Sequence, residues 1–146
     1  LRADFPDYKL GYIDGTYPLR QLSRTDEALA LLDKFDEMDS NCWSSEAERM
    51  RIHTLQEKWS LVEDDLGNAS VKQIPKENLV AEVTVAAQTA HDHGFDLDAV
   101  NILQKSYEVD PAAVTGDDAI KKLAETLSGV SDSEAANHAK ELAAKL

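Results

Sequence analysis

The sequence predicts an all-α protein of five to six helices. An antiparallel αα-hairpin leads them, behind an irregular, aromatic-rich N-terminal arm. Two observations carry this reading. After residue 24, apolar residues recur at steps of three and four through nearly every segment. Helix-start and helix-stop residues bracket those segments, including two capping-box matches, Ser45 to Glu48 and Ser131 to Glu134. A chain of 146 residues, 42% hydrophobic and 29% charged, is long enough for one domain with its own core and close to globular averages, so general disorder is not expected.

Residues 1–24 form the arm. Phe5, Tyr8, Tyr12 and Tyr17 alternate with Pro6, Gly11, Gly15 and Pro18, and no helical period survives. Asp14-Gly15 between Tyr12-Ile13 and Thr16-Tyr17 is a type I′ hairpin signal. The arm's aromatics either cover this chain's core or dock on another subunit.

Residues 25–67 form the acidic hairpin. Its first helix, about 25–39, starts at a Ser23 or Thr25 cap and runs a seam of Ala28, Leu31, Phe35 and Met38. Its second helix, about 45–66, carries Ile52, Leu55, Trp59, Val62 and Leu66 at heptad spacing, with Gly67 placed as a C-cap. The connection of about five residues makes the two helices antiparallel neighbours.

A linker, residues 68–76, separates the hairpin from an alanine-rich helical region, residues 77–146, within what is read as one domain overall. Fourteen alanines fall in residues 76–146, against five before them. Pro75 opens a helix to about residue 93 with a stripe of Leu79, Val83, Ala86 and Ala90, stopped by Gly94. Asp96 caps the next helix, to about Tyr107, and Asp110-Pro111 starts a short turn through Val114. A helix of about 117–127 buries Ile120, Leu123 and Leu127, and a last one sets Ala135, Ala139, Leu142 and Leu146 on one face.

Charge is the most informative functional signal. The net charge is −13, and residues 25–67 alone hold twelve acids against four bases. Such a field repels nucleic-acid phosphate and anionic lipid and attracts basic partners. No apolar run approaches the roughly 20 residues that span a bilayer, so membrane insertion is not expected. The opening residues lack the apolar core of a signal peptide, and a lone Cys42 excludes an internal disulfide; both lead to an expectation of a cytoplasmic protein.

Motifs for chemistry are weak. His91 and His93 are two apart, so on a helix their rings diverge by about 200°. His53 with Glu57, and Glu134 with His138, share faces but lack the spacing of di-iron carboxylate bundles. Cys42 lies near Asp39 and Glu46, a poor setting for a thiolate. Helix-turn-helix spacing around Gly94 is read as packing, because the second helix opens with Asp96 and Asp98 and phosphate contacts need bases. No phosphate loop, nucleophile elbow or zinc-type spacing occurs. We therefore expect no enzyme and no cofactor or metal.

The expected function is a non-catalytic acidic interaction or assembly protein that binds a basic protein partner. Its surface would be Asp26, Asp33 and Glu37 on the first helix, and Glu63, Asp64 and Asp65 at the end of the second. Tyr8, Tyr12, Tyr17 and Trp43 are the aromatic anchors. The alternatives are an accessory subunit of a multi-component enzyme, docking through the arm, and a nucleic-acid mimic that inhibits a nucleic-acid-binding protein.

Overall fold

The structure, a computed structural model, describes residues 9–146, with side chains from residue 12 onward. These residues are all-α, and no strand occurs among them. In chain order the helices are α1 (Lys9–Asp14), α2 (Thr16–Gln21), α3 (Thr25–Met38), α4 (Trp43–Leu55), α5 (Trp59–Val71), α6 (Lys76–Asp92), α7 (Asp96–Val109), α8 (Pro111–Val114), α9 (Asp118–Leu127) and α10 (Ser133–Lys145). Among the described residues the helical segments number ten, against the five to six helices expected, and α8 is a single turn.

Two differences account for most of the excess. The arm, from residue 9, is helical rather than irregular. Gly15 sits at φ −67°, in the right-handed helical region, so the Asp14-Gly15 pair makes a junction between α1 and α2 instead of a type I′ hairpin. Pro18 is accommodated because it falls in the first turn of α2, where its missing N–H has no intrahelical acceptor.

The long helix expected over 45–66 is two helices, α4 and α5. The break falls at Gln56-Glu57-Lys58. Glu57 takes φ +56°, and Lys58 N–H donates to His53 carbonyl at 2.9 Å while Glu57 N–H donates to Thr54 carbonyl. This is a Schellman ending with a glutamate in the left-handed position that glycine usually fills. Gln73, at φ +64°, ends α5 in the same way, as Ser23, at φ +58°, ends α2. Gly94, at φ +87°, ends α6 as its sequence position suggests. Gly67 is no cap: it lies inside α5.

Several helix starts also differ from expectation. Neither Ser23 nor Thr25 caps α3, whose N-cap is Arg24 with no side-chain bond. Ser45 lies within the first turn of α4, and its hydroxyl donates to Asp36 Oδ1 at 2.9 Å rather than capping. Asp96 is the first residue of α7, following Phe95 at the cap. The α10 cap is Asp132, which accepts from Ala135 N–H at 3.1 Å. Asp110 and Asp117 cap α8 and α9 by the same bond.

The main core is built by α4 to α10 and runs across residues 68–76. Met50, Trp59, Val62, Leu66, Leu79, Val83, Val100, Leu103, Ile120 and Leu127 are among its members, with the small faces of Ala86, Ala87 and Ala90 letting α6 approach its neighbours closely. No described residue of the α1–α3 layer belongs to it. That layer meets α4 through a second, small cluster of Ala28, Leu32 and Ile52, against which Ile13, Leu19 and Leu29 pack. The heptad seam is thus divided: Ile52 faces α3, Trp59, Val62 and Leu66 enter the main core, and Leu55 is 57% exposed.

Candidate functional site

Helix α4 carries Glu46, Glu48, Arg49, Arg51 and His53 within eight residues, and both glutamates and the histidine are buried. Buried charges persist only where partners meet them. Here α2, α3, α5 and α6 supply them. Lys72, at the end of α5, donates to Glu46 Oε1 at 2.6 Å. Arg49 reaches back to Glu46 and outward to α3, at 2.6 Å from Asp36 and 3.1 Å from Asp33. Arg51 bonds Glu48 on its own helix and takes Glu82 of α6 in a two-pronged grip. Glu48 also lies 3.1 Å from the Thr16 hydroxyl and 3.5 Å from Arg20 Nε, both on α2. Burial opposes the charge on Arg49 and Arg51. For Arg49, Asp36, Glu46 and Asp33 outweigh it, and for Arg51, Glu82 and Glu48 do, so both guanidinium groups are held above their usual value.

His53 pairs with Asp65 of α5, Nδ1 to Oδ2 at 2.5 Å. Burial pushes the Asp65 carboxyl above its ordinary value, even though the His53 bond pulls it down. Asp65, read from sequence as part of an exposed acidic run, is therefore an interior group. Its neighbours Glu63 and Asp64 are half-buried and exposed. Glu63 is also raised, first by burial and then by Asp98, with Lys105 opposing.

On α3, Asp26, Asp33 and Glu37 are all exposed, together with Glu27. Glu37 lies 3.9 Å from Lys34, and Arg24 pairs with Glu27. Exposed pairs of this kind hold little energy, and they leave the α3 face acidic.

The aromatic candidates divide. Tyr12 is buried at 9% exposure, and Trp43 is half-buried against the main core. Tyr17 is 58% exposed, with Arg20 stacked 5.3 Å from its ring centre. Tyr8 lies outside the described residues. Trp59 packs on Phe95 at 5.6 Å between ring centres.

His91 and His93 face different carboxylates, Asp96 at 2.6 Å and Glu57 at 2.9 Å. The His53–Glu57 pairing that their spacing allows is replaced by these cross-helix contacts. Among the described residues, no three histidine, cysteine, aspartate or glutamate side chains gather as a metal site. Cys42 is half-buried and unpaired. No described helix is long and apolar enough to cross a membrane.

The buried lattice around α4 was not foreseen. Its sequence trace is the alternation of sign on one helix, with Glu46–Arg49 and Glu48–Arg51 both at i, i+3. No protein-family model, curated protein or solved structure matches the chain.

Proposed function

We propose that this protein is a non-catalytic interaction or assembly factor that presents an acidic face to a basic protein partner. The pairing of α3 with α4, read as an antiparallel hairpin, is the platform. One observation carries the proposal. Arg49, Arg51 and Lys72 are turned toward Glu46, Glu48 and Glu82, while Asp26, Glu27, Asp33 and Glu37 stay exposed on α3 beside two exposed bases, Arg24 and Lys34. Those inner charges cancel, so the exposed surface of α3 carries more acid than base. Long-range attraction of this kind speeds encounter with basic surfaces and weakens as salt rises.

The test reverses charges that make no buried pair. Asp26→Lys, Glu37→Lys and Asp64→Lys are combined, and capture of arginine- and lysine-rich peptides is compared with the parent chain at low and at physiological salt. Capture weakened about tenfold or more at low salt, with helicity unchanged, supports the reading. Equal capture by the two proteins removes it. Capture confined to a nucleic-acid-binding protein with a basic groove, and competed away by nucleic acid, points instead to the nucleic-acid mimic.

A second reading has its own observation. Tyr17 and Leu22, 58% and 66% exposed, stand at and beyond α2 and leave much of their surface open. They suit an accessory subunit that docks this layer on a catalytic chain. Tyr17→Ser with Leu22→Ser should then abolish assembly where the charge reversals do not.

A further inference from the structure

A groove of about 360 Å³ opens where α2, α4 and α6 meet. That volume lies at the lower end of the range for small-molecule sites. Met50, Leu55 and Val85 contribute apolar wall, and Leu55 and Val85 are 57% and 60% exposed. Arg20, Arg51 and Glu82 contribute the charged part of the lining, with Thr54 and Thr89 beside them.

The charged groups are unequally accessible. Side-chain exposure is 38% for Arg51 and 17% for Arg20, but 12% for Glu82 and 7% for Glu48. A molecule entering the groove meets guanidinium before carboxylate, in a chain whose net charge is −13. Arg20 is also under-used. A guanidinium offers five donors in a fixed fork. Among the described residues, the contacts of the Arg20 guanidinium are two: the buried Nε lies 3.5 Å from Glu48 Oε2 without hydrogen-bond geometry, and the guanidinium carbon lies 5.3 Å from the Tyr17 ring centre. Neither contact uses the terminal Nη groups, whose donors are left for an anionic ligand.

We propose that this groove binds a small amphipathic carboxylate. The carboxylate head takes the free donors of Arg20, beside Arg51, and the aliphatic body lies along Met50, Leu55 and Val85. This site is separate from the acidic face of α3, so its failure would leave that reading untouched.

Calorimetric titration with decanoate, below its micelle-forming concentration, tests the proposal, with decanol and decylammonium as controls. The expected result is saturable binding of decanoate, at least about tenfold weaker binding of decanol, and none of decylammonium. Arg20→Gln should bring decanoate down to the level of the alcohol; Glu48 keeps Arg51 and Thr16 in that variant. Val85→Trp, which fills the groove from an exposed position, should weaken decanoate and decanol together. The proposal is overturned if decanoate does not bind, if decylammonium binds equally, or if a folded Arg20→Gln protein binds decanoate unchanged. Should Arg20→Gln lose its cooperative melt, Val85→Trp decides, and undiminished decanoate binding there is equally fatal.

Discussion

Gln73 holds a left-handed backbone, φ +64°, that costs a side-chain-bearing residue about 1 kcal/mol or more and glycine almost nothing. Gln73→Gly should therefore stabilise the protein by up to about 1 kcal/mol in urea unfolding, the gain being trimmed by the freer unfolded chain. Gly94→Ala should do the reverse. Nothing lies within 4 Å of an added Cβ there, so the loss of about 1–2 kcal/mol would be purely backbone strain at φ +87°. Asp65 gives the other residue-scale prediction. Its folded value is raised above the unfolded one, chiefly by burial. Between those two values the native state keeps a proton that the unfolded chain has released, so stability falls as pH rises through the window. Asp65→Asn removes that part of the slope. His53→Gln removes the bond that lowers Asp65, so the window extends to higher pH and stability at neutral pH drops by about 2–3 kcal/mol. Urea melts from about pH 3 to pH 8 would show both effects.

At the scale of elements, Gly67 is instructive. It sits mid-helix in α5, where an added methyl would meet Lys105 Cε at 3.4 Å, the flexible end of a side chain. Gly67→Ala should thus raise the thermal midpoint, by about 0.5–1 kcal/mol of helix propensity, with no loss of α5–α7 packing. Reading Gly67 as a stop, and passing over Glu57, is how the sequence hid the α4–α5 break. Glycine marks a helix end only when it is the residue that turns left-handed. Here Ser23, Glu57 and Gln73 do that work, and nothing local distinguishes them from ordinary helix surface. By contrast α6, α9 and α10 were legible, because Leu79 and Val83, Ile120 and Leu127, and Ala135 and Leu142 fall on unbroken apolar stripes that the core buries. The site was legible only in part. Counting charges locates the acid on residues 25–67, but which carboxylates turn inward depends on bases from other elements, Lys72 and Arg20 among them. Asp65 gave no sign of burial because its partner, His53, belongs to the helix that the sequence had fused with its own.

For the whole molecule, the division between one large core and one small cluster sets a gradient of stability. The layer of α1–α3 is joined to α4 by Ala28, Leu32 and Ile52 and by polar links such as Gln56 Nε2 to Thr25 Oγ1 at 3.0 Å. Such contacts resemble a modest interdomain surface more than a domain interior. Native-state hydrogen exchange should find the amides of α1–α3 opening well before those of α5, α6 and α7, which line the main core. Equal protection across all six helices would contradict that division.

Glu48 stands at the seam of that division, touched by Thr16 and Arg20 on one side and by Arg51, which also grips Glu82, on the other. Four residues on three helices thereby have their tolerances tied to one carboxylate. A substitution at Glu82 alters what Arg51 can offer Glu48, and so what residue 20 is permitted to be. Effects of paired changes here should depart from the sum of the single ones. Over time, this corner of the chain is constrained to vary as a set, with each accepted change deciding which next ones remain open.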